Sequence, residues 1–118
     1  MTRGEVYWAD LTSRSGSEEQ GRRPVVIVSH DGFNRVASWR SLIVVPISTS
    51  RAQARRGLTA IPIAPGVGGL RKACFALCHQ VTTIDRSKVG ARIGTLSRDS
   101  LAHIDSGLRF AQIGRAHV

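Results

Sequence analysis

The sequence predicts a mainly β fold: a small barrel of about six strands followed by one C-terminal amphipathic α-helix. Three observations predict it. Short apolar runs bounded by Gly, Pro, Ser and Asp fill the first four-fifths of the chain. Prolines 24 and 62 stand where a strand begins or where it lies at an edge. After Ser97 the apolar period changes to three and four, the stripe of a helix. At 118 residues the chain reads as one domain, residues 1–118, with material for a single core.

The run from Gly4 to Leu11 is short, aromatic and bounded by polar residues, as a half-buried strand is. Residues 12–22 form a Ser/Gly/Glu-rich loop, long for a hairpin and of the length that serves as a lid or binding loop. Gly21-Arg22-Arg23-Pro24 then leads into Val25-Val26-Ile27-Val28. Proline lacks an N–H and fixes φ, so Pro24 opens the strand and holds Arg23 extended at its mouth. Residues 30–41 are polar and hold room for a turn of helix. Leu42 to Ile47 is a second apolar run, ending in Ser48-Thr49-Ser50. Leu58 to Ile63 carries Pro62 and is demoted to an edge strand. Gly66-Val67-Gly68-Gly69 is a turn that does not match a phosphate-binding loop. Phe75 to Ile84 and Ala91 to Leu96 complete the strands. The helix is placed at about 97–113 with Ser97 as its N-cap, Asp99 in the first turn and Gly114 as its end. Gly107 weakens it by about 1 kcal/mol relative to alanine, which points to close packing there.

Charge separates the function classes. Seventeen basic residues against eight acidic give a net charge of +9. Fifteen of the seventeen are arginine, the cation whose planar fork matches phosphate bidentately. No acidic residue falls between Asp31 and Asp85, while Arg35, Arg40, Arg51, Arg55, Arg56, Arg71 and Lys72 do. Such a field steers polyanions and supplies salt-sensitive binding energy. No run of about 18 apolar residues is present, and no apolar segment follows the N-terminus as in a signal peptide, so the expected compartment is the cytoplasm, with no membrane.

Cys74 and Cys78 fall on one predicted strand, about 13 Å apart, too far to pair, and too few for a zinc site; both read as core thiols. The carboxylates are scattered and the histidines lack ligand spacing, so no metal and no cofactor are expected. Of the four histidines, only His30 and His79 are candidates for a catalytic pair. Arg23 and the Ser48-Thr49-Ser50 hydroxyls, both at strand ends, can grip a phosphate from two sides.

With these residues in place the chain resembles the MazF/PemK/Kid family of toxin endoribonucleases. Five motifs run in family order: Arg3-Gly4-Glu5-Val6-Tyr7-Trp8; Gly16-Ser17-Glu18 with Gly21-Arg22-Arg23-Pro24; Val45-Pro46-Ile47-Ser48; Leu77-Cys78-His79-Gln80-Val81; and the closing helix. The resemblance implies an SH3-like barrel of the PemK/CcdB type and a homodimer. It also implies sequence-specific, metal-independent cleavage of single-stranded RNA or mRNA by 2′-OH attack, leaving a 2′,3′-cyclic phosphate and a 5′-OH end. A MazE-like antitoxin is the implied partner, seated in the RNA groove.

Carried onto this chain, the family's catalytic arginine falls on Arg23, its catalytic threonine on Ser48, and its loop acid on Glu18. Serine departs from the family's threonine, and Thr49 beside it is an alternative source of the hydroxyl. An arginine does not deprotonate at ordinary pH, so Arg23 suits electrostatic clamping first and proton donation to the leaving 5′-oxygen second. Glu18 is a candidate base or water-orienting group, or simply a solvated loop carboxylate. Gln80, Arg22, Arg51, Arg55 and Arg56 then read as RNA contacts. The same fold also serves CcdB-like toxins that bind gyrase without catalysis, and a passive RNA-binding module is a third reading. That module would want exposed stacking aromatics, whereas aromatics are 5% of this chain and Trp8 and Phe75 read as core.

Overall fold

The computed structural model describes residues 1–11 and 21–116, with side chains as far as residue 112. Among them are seven strands: β1 Glu5–Asp10, β2 Arg22–Ile27, β3 Ser41–Ser48, β4 Ala60–Ile63, β5 Cys74–Leu77, β6 Thr82–Asp85 and β7 Val89–Thr95. One turn of helix, α1 (Asp31–Asn34), precedes β3, and the long helix α2 spans Arg98–Ala116. The pairings are antiparallel, and the strand order is β4-β5-β3-β2-β1-β7, with β6 also on β3.

The sheet is barrel-like as expected, and among the described residues its two ends, β4 and β7, are not hydrogen-bonded to each other. Closure is one way to remove exposed edges; covering them is another. The β4 edge carries Pro62, which withholds one ladder donor, and it packs against α2 and the 3-10 segment Arg51–Thr59. Leu58, expected in this strand, belongs to that 3-10 segment and is exposed.

Both faces of the central strands are buried, which is why β2 and β3 read as unbroken apolar runs rather than alternating ones. One core contains Val6, Val26, Val45, Ile47, Ile63 and Ala76, with Ile104 of α2 packed into it. The other contains Ala9, Leu11, Val25, Ile27, Leu42 and Val44. The motif Arg3-Gly4-Glu5 joins these parts. Arg3 donates from Nε to the Val28 carbonyl at 3.0 Å and pairs with Asp105 of α2, while its backbone N–H reaches Asp31 Oδ1 at 2.7 Å.

The expected single strand from Phe75 to Ile84 is two strands separated by a 3-10 turn, Cys78–Gln80. β5 and β6 pair with opposite ends of β3, and the register slips between Ile47↔Ala76 and Val44↔Thr82. The cause is Pro46, which offers no N–H to the ladder at this point, so the facing chain bulges out and rejoins farther along. The expectation that both cysteines lie on one strand is corrected with it: Cys78 belongs to the turn. Both thiols are buried, and burial, with Asp105 nearby, pushes Cys78 up to about 11.

Ser97 caps α2 as expected, its Oγ accepting from the Ser100 N–H at 3.2 Å. The helix runs through Gly114 to Ala116 rather than ending near 113. Glycine weakens a helix by about 1 kcal/mol but does not by itself stop one. Gly107 does mark a close approach: a Cβ there would lie 2.8 Å from Cys78 Sγ and 3.0 Å from Ile61 Cδ1. Gly107→Val is therefore expected to destabilise the fold by about 1–3 kcal/mol through overpacking. A thermal melt checks this, with Tm expected to fall by several degrees.

Candidate active site

The Val25↔Pro46 pair fixes how β2 and β3 face each other. Followed outward by two residues along each strand, the antiparallel register sets Arg23 level with Ser48 at the sheet end. Side chains alternate along a strand, so Arg23 and Ser48 leave the backbone on the face of Val25, Ile27 and Val44 and Thr49 on the other, although Arg23 and Thr49 also line one cavity. Arg23 is half-buried, its Nε shielded from solvent, and it pairs across β1 with Ala9. Ser48 is buried, and its Oγ accepts from the Ser50 N–H at 3.1 Å. A hydroxyl that accepts this way still has its O–H to donate. The same turn holds the backbone where β3 ends.

Phe75 pairs with Ser48 from the other neighbour, β5, and two residues past the end of β5 the chain reaches His79 and Gln80. Both are half-buried. Gln80 Oε1 and both ring nitrogens of His79 are shielded from solvent with no hydrogen-bond partner among the described residues. Burial, with the Arg56 guanidinium adding to it, holds His79 below the usual imidazole range, so the ring is neutral near pH 7.

His30, the other histidine candidate, stands apart. It caps α1, with Nδ1 accepting from the Gly32 N–H at 2.8 Å, and it follows Ser29, whose N–H bonds the Ile43 carbonyl. From Ile43 to Ser48 is about 17 Å of strand, so the structure does not bring His30 and His79 together. Arg51, Arg55 and Arg56 lie on the 3-10 segment after β3, and Arg56 Nε donates to Gln53 Oε1 at 2.9 Å. Glu18 lies outside the described residues.

Arg22 is the first residue of β2 and faces away from Arg23. Its guanidinium sits 5.5 Å from the centre of the Trp8 ring. Trp8, read as core in the sequence, is instead 37% exposed. It pairs with Pro24 and opens onto a cavity of about 730 Å³ lined also by Arg23, Ile47, Thr49, Arg71 and Lys72. Sequence reasoning does not find this cavity. Its one signal there is the Arg71-Lys72 pair directly after the glycine turn.

No group of three or more His, Cys, Asp or Glu that could hold a metal ion is found among the described residues. No helix among them is long and apolar enough to cross a membrane. Arg23 and Ser48 thus offer a forked cation and a buried hydroxyl at one sheet end, while the neutral imidazole of His79 and the buried amide oxygen of Gln80 lie in the turn between β5 and β6, farther back along β3. That set can bind a phosphodiester and stabilise negative charge on it.

Residues 2–111 match the family model described as PemK-like, MazF-like toxin of type II toxin–antitoxin system. Among solved structures, a mycobacterial endoribonuclease in complex with its cognate antitoxin is similar, with 23% identity, a TM-score of 0.75, and coverage of 95% of this chain and 94% of that one. MazF from Deinococcus radiodurans is similar at 21% identity and a TM-score of 0.74, covering 97% of this chain and 96% of its own. The Mycobacterium tuberculosis toxin MazF-mt6 is similar at 22% identity and a TM-score of 0.73, covering 92% and 96%. At these identities the likeness establishes the shared fold.

Proposed function

This chain belongs to the PemK-like, MazF-like toxin family of type II toxin–antitoxin systems, and we propose that it is a sequence-specific endoribonuclease acting on single-stranded RNA. The observation that supports the reading is the β2–β3 register, which, carried outward from Val25↔Pro46, sets Arg23 level with Ser48, in a chain of net charge +9. RNA brings its own nucleophile, the 2′-OH. The enzyme needs to hold that oxygen in line with the phosphorus, stabilise the charge on the phosphoryl oxygens, and move two protons. Attack forms the new O–P bond and breaks the bond to the 5′-oxygen, leaving a 2′,3′-cyclic phosphate and a 5′-OH.

Arg23 clamps the phosphoryl oxygens first and donates a proton to the leaving oxygen second. Ser48 donates its O–H to the same phosphate. Glu18, which precedes β2 in the sequence, is the candidate base. Gln80 contacts the RNA beside them, and Arg51, Arg55 and Arg56, with Arg22 on the other face, supply the field that gathers the strand. A homodimer encloses the RNA from two sides, and a MazE-like antitoxin neutralises the toxin by occupying the same groove, in the cytoplasm. The mycobacterial and Deinococcus structures that include antitoxins favour this partner.

The direct test is incubation with a defined mixed RNA, followed by primer extension to map new 5′ ends and a check for cyclic phosphate. Absence of discrete ends at any RNA concentration would sink the proposal. The two hydroxyls are separable in the same assay. Ser48→Ala removes a donor to a charged phosphate, a loss of about 1.5–3 kcal/mol, and is expected to lower kcat by about one to two orders of magnitude. Thr49→Ala is expected to cost less, because alternation puts it on the other strand face from Ser48, the position that matches the family's threonine. A larger loss from Thr49→Ala would mean the strand end is offset by one residue.

A further inference from the structure

We propose that the loop from Phe33 to Arg40 is a docking surface for an acidic amphipathic helix of another protein, separate from the candidate active site. It lies at the opposite end of the sheet. β3 begins at Ser41, directly after this loop, and ends at Ser48, so about 23 Å of strand stands between the two. Two successive turns build the surface. The Val36 N–H donates to the Phe33 carbonyl at 3.1 Å, and the Trp39 N–H to the Val36 carbonyl at 3.0 Å. Bonds from i to i+3 bring side chains three apart onto one side, here those of Phe33, Val36 and Trp39. All three are exposed, at 48%, 46% and 48%. Single exposed apolar side chains are ordinary, whereas three gathered on one short loop mark an interaction site. Arg86, just past β6, holds the loop by its carbonyls: Nε donates to that of Trp39 at 3.0 Å, and Nη2 to those of Phe33 and Val36 at 3.3 and 3.2 Å. The backbone is fixed while the apolar side chains face out, which lowers the ordering cost of binding.

Charge and shape choose the occupant. The two segments that form the surface, 31–40 and 85–88, carry four cations, Arg35, Arg40, Arg86 and Lys88, against two carboxylates, Asp31 and Asp85. Arg40 meets Asp85 at 3.2 Å and Arg35 meets Asp31 at 3.9 Å. Both arginines are exposed and such pairs are weak, so incoming carboxylates can engage the same guanidinium groups. Arg86 bonds to carbonyls, which carry no countercharge. A second copy docking by the same surface would set these arginines against themselves. RNA fits less well, because bases stack on an open, flat ring face. Here Trp39 leans on Phe33 with ring centres 4.8 Å apart and planes inclined at 35°, and His30 meets Phe33 edge-on at 6.5 Å. Aliphatic side chains fill such an uneven apolar surface, and flanking glutamates reach Arg35 and Arg40. Tryptophan and arginine are also the side chains that most often anchor protein partners.

The chain has two tryptophans, so Trp8→Phe leaves Trp39 as the sole fluorescent reporter. Titrating that variant with a synthetic Glu/Leu-repeat helix is expected to shift Trp39 emission saturably to the blue, as apolar contact excludes water from the ring. Phe33→Ala in the same background is expected to weaken peptide binding about tenfold. Val36→Glu, which adds a like charge to the surface, should weaken it as well. Both positions are exposed, so folding is expected to survive either change. Arg35→Ala and Arg40→Ala should flatten the salt dependence of the affinity. No saturable response to the Glu/Leu peptide, or equal affinity for a Lys/Leu repeat, would overturn the proposal. Unchanged affinity in both the Phe33 and Val36 variants would overturn it too, because the peptide would then be binding elsewhere. Tighter binding of a mixed-sequence 2′-O-methyl oligonucleotide than of the peptide would give the surface to RNA instead. Trp39 emission that shifts with protein concentration alone, together with a dimer in sedimentation that Val36→Glu abolishes, would give it to a second copy. RNA cleavage enters none of these readouts, so the surface and the ribonuclease reading stand or fall separately.

Discussion

A single 2′-deoxynucleotide placed immediately 5′ to the scissile phosphate is expected to reduce cleavage to background, while EDTA leaves cleavage of the all-ribose substrate intact. The 2′-OH is held next to the phosphorus by the substrate's own ribose, so alignment supplies most of what an external nucleophile would lack. Removing it leaves water, which needs a site that binds and activates it. Arg23 cannot serve as that base, because a guanidinium keeps its proton at ordinary pH. The acids of this chain are few, eight in all, and those among the described residues do not gather with histidines or cysteines into a metal-binding group. Cleavage that persists on the deoxy substrate, with the same product ends, would refute 2′-OH attack. Loss of activity in EDTA, restored by one divalent ion, would refute the metal-free scheme independently.

How far the sequence discloses this site depends on which forces fix each piece. Pro24 fixes a strand entry through its own ring, so the placement of Arg23 is legible from two adjacent residues. The N-cap Ser97 is legible for the same local reason. Pro46 is visible too, yet its effect falls on a different part of the chain. The missing ladder donor breaks the strand paired with it, at Cys78–Gln80, where no glycine or proline marks a break. Trp8 misleads in a similar way. Its strand looks half-buried, and alternation puts it on the face of Val6, but the cover over that face stops short of it, leaving the cavity. The close contact at Gly107 is foreseeable as a fact, whereas its partners, Cys78 and Ile61, are set by packing between distant elements. The pairing of Arg23 with Ser48 needs the register of two strands, which composition and spacing do not contain.

Arg23→Ala is expected to lower kcat/KM by about 10²–10³, far more than Arg55→Ala or Arg56→Ala. The difference follows from position rather than charge, since all three remove one guanidinium. Arg55 is exposed on the 3-10 segment, where solvent and salt screen it. Arg56 is exposed as well, bonded to Gln53. Their removal should raise KM and flatten the log–log salt dependence by about 0.7 for each phosphate no longer neutralised, with kcat nearly unchanged. Arg23 is half-buried, stands directly before Pro24 near the start of β2, and is set level with Ser48 by the β2–β3 register. A charge held in that way needs no reorganisation when negative charge develops on the phosphoryl oxygens, so its loss falls on the transition state and therefore on kcat. Arg23→Lys should recover only part of the loss, because an ammonium offers a point charge where the guanidinium offers a fork. The decisive measurement is single-turnover cleavage at saturating RNA across a salt series. If Arg23→Ala behaves like the two surface variants, with full rate restored at low salt, then Arg23 binds RNA and the group that stabilises the transition state lies elsewhere in the site.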